Sequence, residues 1–221
     1  MGCSVGFTGP FGRAFQPPFA TAGAAAAGNG LLNNLIAYWP GNEANGNALD
    51  LHTNALHLTD VNTVTSNPGL VYALARQYTR ANLESHARPG DDALLSMGDT
   101  DYTVMTNVYL DSKAGNYGLV EKSASIGDFM LYYLLAPDGF RFEIFNIFGV
   151  SLGVAVANSI GAPGIGAWYT ILGWHDSVAN TVSIQVNNGP VDSAATTGAG
   201  VDGTGIFRIG RYYGGAMNGR I

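Results

Sequence analysis

The pattern of hydrophobic and polar positions is clearest in residues 166–192, where two short runs alternate as β-strands do. Residues 168–174 carry large apolar side chains on both alternating faces, which predicts a strand covered on both sides. Residues 181–187 alternate strictly between apolar and polar side chains. Asn188-Gly189 ends this second run and favours the positive φ values of a tight turn. The pattern predicts an antiparallel hairpin with one solvated face.

The same alternation predicts further strands along the chain, at residues 35–39, 118–122, 129–135, 140–148 and 150–157. A Pro-Asp-Gly turn joins the third and fourth of these into a second hairpin. No long amphipathic helix is visible. The chain is therefore expected to be built from short strands and turns.

One charged segment lies between Arg76 and Arg88 and also contains Arg80, Glu84 and His86. Alternation in a strand would place most of these side chains on one solvated face, where they would pair with one another.

Composition limits the size and partners of the domain. The chain has 221 residues, of which 47% are hydrophobic, enough for one substantial core. Only 12% of residues are charged and the net charge is -6, with no basic cluster, which argues against nucleic acid as a partner. The single cysteine, Cys3, excludes an intrachain disulfide framework. Residues 1–30 show no secretory signal pattern, and no membrane span is expected.

The N-terminal segment has regularly spaced aromatic residues, Phe7, Phe11, Phe15 and Phe19. The prolines and glycines among them exclude a helix, so residues 1–30 are interpreted as an extended arm and an Ala/Gly linker. A disordered terminus is the simpler alternative. Exposed apolar residues in such number usually mark an interface, which favours docking of the four phenylalanines on neighbouring protein chains.

Four segments are informative as an ordered series: LIAYWPGNEANGNALDLHTNALHLT (35–59), SMGDTDYTVMTNVYLDS (96–112), WYTILGWHDSVANTVSIQVNNGPVDS (168–193) and GIFRIGRYYGGAMNGRI (205–221). Taken in this order, they resemble the laminin-G-like family of concanavalin A-like jelly-roll domains. The resemblance implies an all-β, two-sheet antiparallel jelly-roll sandwich over residues 31–221. Family members continue with a closing strand beyond the position of Ile221, so residues 31–221 are expected to lack the final strand of the sandwich. We favour a longer natural chain as the explanation; the alternatives are a strand supplied by a neighbouring chain and a member that folds without it.

The resemblance also implies a candidate calcium site. In the family, the loop that holds Asp50 sometimes contributes an oxygen ligand to calcium. Separately from the resemblance, the spacing of Asp99 and Asp101 before the strand at Tyr102 makes them a second pair of candidate ligands. Turn formation is the alternative for all three. No other cofactor is expected.

Catalysis is not expected. Related jelly-roll glucan hydrolases carry an acid and a nucleophile on alternate residues of one strand, as E-x-D-x-x-E. None of the four glutamates here has a carboxylate two residues away; at Glu143 that position is Phe145. No nucleophile elbow, zinc-binding or phosphate-binding motif is present, and the adjacent His175-Asp176 pair fits a turn.

Two functional hypotheses remain. The first is a bacteriophage virion component that is displayed on the virion surface and is oligomeric or bound to other virion proteins through its arm. The regularly spaced phenylalanines at the start of this chain resemble those of phage structural proteins. The alternative is an extracellular, secreted or cell-surface carbohydrate-binding module, with calcium as a candidate aid. Its candidate glycan-contacting residues are Tyr109, Tyr117, Tyr212 and Tyr213.

Overall fold

The computed structural model of the protein describes residues 34–122, 128–212 and 215–221. Within them the chain forms two seven-stranded antiparallel sheets and one two-stranded sheet. In spatial order, sheet I contains β1 (Thr59–Val61), β4 (Ser85–Ala87), β13 (Phe207–Ile209), β6 (Tyr117–Lys122), β7 (Phe129–Leu134), β8 (Gly139–Phe145) and β9 (Ser151–Val156). Sheet II contains β12 (Val191–Ala195), β11 (Thr181–Val186), β10 (Trp168–Asp176), β5 (Tyr102–Leu110), β16 (Gly219–Arg220), β3 (Leu74–Tyr78) and β2 (Thr65–Pro68). The small sheet pairs β14 (Arg211–Tyr212) with β15 (Gly215–Ala216).

Short 3-10 helices occupy Arg80–Asn82, Ala93–Leu95 and Asn158–Ile160. No helix among the described residues is long and apolar enough to cross a membrane.

The core lies between the two large sheets. Phe140 of sheet I packs edge-on against Tyr169 of sheet II, with ring centroids 5.3 Å apart. Gly173 faces Phe142 so closely that a Cβ at this position would lie 2.5 Å from the phenyl ring. Close contacts of this kind, between inward-facing side chains of opposing sheets, are what a sandwich core requires. The predicted all-β sandwich is confirmed.

The predicted hairpin is present as β10 and β11, which pair in antiparallel register. Its inward pattern is confirmed on β11, where Val182, Ile184 and Val186 are buried, but Ser183 of the predicted solvated face is buried as well. The turn that follows lies one residue earlier than predicted, because Asn187 and Asn188 carry the positive φ values of 51° and 56°. The prediction that residues 168–174 are covered on both sides is wrong for one face. The side chains of their outer face remain partly exposed.

Residues 35–39 were predicted as a strand but form no regular structure. Their polar groups bond to a neighbouring loop instead of to a sheet. The Tyr38 N–H donates to Asp50 Oδ1 at 2.8 Å and its carbonyl accepts from the Leu51 N–H at 2.9 Å. The Trp39 indole N–H donates to the Leu56 carbonyl at 2.8 Å. The segment still contributes to the core, where Trp39 stacks on Phe207 at 5.0 Å.

The prediction of a solvated face between residues 76 and 88 is also wrong, because Arg76, Glu84 and His86 are almost fully buried. Arg76 lies on the inner side of β3 and donates to the carbonyl of Glu43 at 2.7 Å. His86 Nδ1 forms a hydrogen bond of 2.9 Å with the Tyr78 hydroxyl. Burial lowers the pKa of His86, so the ring is neutral in this network. These polar groups connect loop 43–46 to the core and do not face solvent.

Lys122, at the end of β6, is fully buried and joins three separate loops. Its Nζ lies 2.9 Å from Asp91 Oδ1, 3.2 Å from Asp128 Oδ2 and 3.7 Å from Asp202 Oδ1. It also donates to the Gly203 carbonyl at 2.5 Å. The ammonium group therefore neutralises carboxylates that come together only in the folded chain.

Candidate functional site

Three large aromatic side chains lie partly exposed on the outer face of sheet II, where β5 and β10 lie side by side. Register sets the outward pairs across these two strands: Tyr109 with Trp168, Asn107 with Thr170, Met105 with Leu172, and Thr103 with Trp174. Two strands that alternate in this way place every second side chain on one surface. We call these eight side chains the outer ridge.

Tryptophan side chains stand at both ends of the β10 row of the outer ridge. Trp168 and Trp174 are six residues apart, which corresponds to about 20 Å along a strand. Between them, Met105 is 62% exposed and Leu172 is partly exposed. At one end the rings of Trp168 and Tyr109 lie 5.4 Å apart at 59°. The ridge is therefore a long, largely apolar strip.

Hydrogen-bonding side chains interrupt this apolar strip. The Thr170 hydroxyl donates to Asn107 Oδ1 at 2.7 Å in the middle of the ridge. On the neighbouring strand β11, Gln185 stands opposite Leu172 and donates to the Gly189 carbonyl at 2.7 Å. An apolar surface with a few fixed amides and hydroxyls is the usual composition of a small-molecule or sugar site.

Arg220 closes one side of the outer ridge beside Tyr109. Its guanidinium carbon lies 3.9 Å above the centroid of the Tyr109 ring. Its Nη2 lies 3.3 Å from Asp111 Oδ1, and its Nη1 donates to the Pro68 carbonyl at 3.2 Å. The arginine thus holds Tyr109 in place and has its charge balanced by a carboxylate.

The candidate tyrosines do not form one site. Tyr109 lies on the outer ridge, whereas Tyr212 stacks on Tyr132 on the outer side of sheet I, with ring centroids 6.2 Å apart. Tyr117 is fully buried against Tyr133, so its ring has no surface to offer to a sugar. Tyr213 lies outside the described residues.

The candidate calcium ligands bond to backbone and hydroxyl groups of the protein. Asp50 is buried, and its oxygens accept from the N–H groups of Tyr38, His52 and Leu56, each at 2.8 Å. It therefore organises the loop before β1. In residues 34–122, 128–212 and 215–221, no three His, Cys, Asp or Glu side chains are grouped so as to hold a metal ion. Calcium binding stays a prediction.

The other two candidate ligands connect loops at the start of β5. Asp99 Oδ1 accepts from the Gly200 N–H at 3.0 Å. Asp101 Oδ1 accepts from both the N–H and the hydroxyl of Ser177 at 2.8 Å. These bonds from Ser177 lower the pKa of Asp101.

The outer face of sheet I contains a buried carboxyl group, Glu121, which is 1% exposed. Its Oε1 accepts from Arg208 at 3.0 Å, and its Oε2 is buried without a hydrogen-bond partner among the described residues. Burial raises the pKa of Glu121 to about 7, against the opposing effects of Arg208 and Arg211.

This shift predicts a pH-dependent stability. Between pH 4.5, the ordinary pKa, and about 7, the folded state binds more protons than the unfolded state. Below pH 4.5, Glu121 therefore contributes on the order of 3 kcal/mol to the free energy of unfolding, and this contribution is lost as pH rises to 7. Glu121→Gln should remove this component, as measured by urea unfolding between pH 4.5 and 8. An unchanged pH profile in the variant would contradict the assignment.

No known family profile matches the chain, and no curated protein matches it in sequence. Similarity appears in the fold. Domain 4 of AbnA, a GH43 extracellular arabinanase from Geobacillus stearothermophilus, superimposes with a TM-score of 0.54 at 13% identity, over 80% of this chain and 90% of that one. The protein thus has the concanavalin A-like jelly-roll fold, as the sequence resemblance implied.

Two further solved structures are more distant. A heptameric SAP-like pentraxin from Limulus polyphemus has a TM-score of 0.40 at 14% identity, over 57% of this chain and 62% of that one. Domains LG4-5 of the mouse laminin alpha1 chain have a TM-score of 0.42 at 17% identity, over 70% of this chain and 43% of that one.

Sequence reasoning did not select the two tryptophans of the outer ridge as ligand contacts. The available signal was the spacing of Trp168, Leu172 and Trp174 at even-numbered positions of one strand. That spacing places the three on one face. The pattern alone does not distinguish a face covered by another layer from one open to a ligand.

Proposed function

We propose that the sandwich is a non-catalytic carbohydrate-binding module whose ligand lies on the outer ridge. The observation that carries this proposal is the pair Trp168 and Trp174 on one partly exposed row, with amide and hydroxyl side chains between them. Aromatic side chains present flat apolar surface to sugar rings, and amides and hydroxyls bond to sugar hydroxyls. A sugar therefore finds both kinds of contact on one surface.

The fold-level similarity supports this proposal as an analogy. Domain 4 of AbnA was solved in complex with arabinotriose, so a domain of this fold holds a sugar. The position of the site in the present chain rests on its own residues, because shared fold alone does not fix function.

The acidic groups of the described chain favour binding over hydrolysis. Glu121 is buried beside Arg208, and Glu143 accepts from the Tyr132 hydroxyl. In the His175-Asp176 pair, His175 Nδ1 lies 2.9 Å from the Thr100 carbonyl, and Asp176 Oδ1 accepts from the N–H groups of Val178 and Ala179. These groups serve packing and turns, which supports a binding role.

The proposal is tested by retention on immobilised polysaccharides. The full chain should be retained on at least one polymer of a panel of plant, algal, bacterial and animal glycans, and released by soluble fragments of that polymer. The retained polymer should be recovered with unchanged chain length after prolonged incubation. Absence of retention across the panel would defeat the proposed function, and shortened polymer would defeat its non-catalytic part.

Display on a bacteriophage virion is a second proposal, carried by the regular spacing of Phe7, Phe11, Phe15 and Phe19. These four residues lie outside the described residues, so their docking role stays a prediction. A sugar-binding face is compatible with either a virion or an extracellular location. Immunogold labelling of purified virus particles would test the virion location. Loss of labelling after deletion of residues 1–30 would test the docking role of the arm.

A further inference from the structure

The outer surface of sheet II is almost free of charge. Alternation and register identify the outward positions of all seven strands. Among these described positions, the Asp, Glu, His, Lys and Arg residues are Asp176, whose Oδ1 accepts from the N–H groups of Val178 and Ala179, and Arg220. Its guanidinium is already engaged by Asp111, the Pro68 carbonyl and the Tyr109 ring. The whole protein also carries a net charge of -6.

The one cation that an anionic sugar meets at the described outward positions is Arg220, which is already paired with Asp111. A carboxylate or sulfate that enters an apolar strip without a cationic partner loses hydration without compensation. The negative net charge would in addition oppose the approach of a polyanion. Neutral hydroxyls, in contrast, can bond to Asn107, Thr170 and Gln185.

The distance between the two tryptophans bears on ligand length. About 20 Å separates the two ends of the β10 row, which exceeds the size of one sugar ring. Simultaneous contact with both tryptophans therefore requires several linked sugar units. Two linked contacts give higher affinity than either contact alone.

We infer that the ligand of the outer ridge is an uncharged glycan, bound through a run of several sugar units that spans Trp168 to Trp174. This inference rests on the proposed function and adds the charge and length of the ligand.

The test uses the full chain and the best-retained polymer of the panel. Isothermal titration calorimetry compares that polymer with a form in which part of the primary hydroxyls are oxidised to carboxylates. The neutral form should bind at least about tenfold more tightly. Its Kd should change by less than about twofold between 0.05 and 0.5 M NaCl, since no ion pair is formed. Affinity should rise with oligosaccharide length until about 20 Å is spanned.

Two results would overturn the inference while leaving the proposed function intact. One is a carboxylated or sulfated glycan that binds as well as or better than the neutral form, with affinity that falls as salt rises. The other is a monosaccharide that competes as strongly, per mole, as the longer oligosaccharides. Absence of binding to any polymer would instead defeat the proposed function itself.

Discussion

Lys122→Met is expected to lower the free energy of unfolding by about 3–5 kcal/mol, because it leaves a buried carboxylate without its counter-charge. The Asp128 side chain is 1% exposed, and burial raises its pKa while the Lys122 ammonium at 3.2 Å opposes that rise and favours the carboxylate. Burial lowers the pKa of Lys122, but the hydrogen bonds and charges of Asp91 and Asp128 outweigh this effect and hold the pKa above its ordinary value. The lysine is therefore charged at neutral pH. Methionine has a side chain of similar length but carries no charge.

Lys113→Met is the matched control for this variant. Lys113 also pairs with an aspartate, Asp138 at 2.7 Å, but the two side chains are 26% and 35% exposed. Water can replace this pair, so the loss should be about 1 kcal/mol or less. Urea unfolding of both variants measures the difference. Equal effects of the two substitutions would contradict the structural role assigned to Lys122.

Trp168→Ala and Trp174→Ala should each raise the Kd for the retained glycan by at least about 30-fold. This corresponds to about 2 kcal/mol, the loss that defines a binding hot spot when an aromatic residue is truncated. Both side chains are partly exposed and face away from the core, so the variants should remain folded. Trp→Phe at either position should retain part of the affinity, because a flat ring remains.

Phe148→Ala is the control for loss of an exposed aromatic ring. Phe148 is 77% exposed and follows β8 of sheet I, away from the outer ridge. Its removal should leave the Kd unchanged. If Phe148→Ala weakened binding as much as the tryptophan variants, or if the tryptophan variants bound normally, the outer ridge would not be the sugar site.

Local alternation was sufficient to predict the principal hairpin, whereas the two-sheet sandwich was implied by the family resemblance. In β11 each inward position is apolar, and the structure buries Val182, Ile184 and Val186 as the pattern required. Residues 35–39 have the same apolar character but no strand partner. Their hydrogen bonds go to Asp50 and Leu51, a tertiary arrangement that periodicity does not encode.

Buried charge was not predictable from local pattern. Lys122 meets Asp91, Asp128 and Asp202, and the first and last of these are separated from it by tens of residues in sequence. Arg76 and His86 were assigned to a solvated face because charged residues usually occupy one. Their burial depends on carbonyl groups of a distant loop, among them Gly46 at 3.0 Å from His86 Nε2.

The candidate site was predictable in part. Tyr109 was selected as an aromatic of the β5 strand and does lie on the outer ridge, but its face is covered by Arg220, which follows it by more than a hundred residues. Trp168 and Trp174 were assigned to a covered strand. Whether the outer face of β10 meets another layer depends on the position of the whole sheet, and the structure leaves that face partly exposed.

The most direct measurement is an NMR titration that follows the indole N–H signals of the three tryptophans with the retained glycan. Trp39 is an internal reference, since its indole N–H is bonded to the Leu56 carbonyl and its ring stacks on Phe207. The account predicts that the Trp168 and Trp174 signals shift with saturation at the same ligand concentration, while the Trp39 signal stays in place. Binding that moves neither Trp168 nor Trp174 would contradict it.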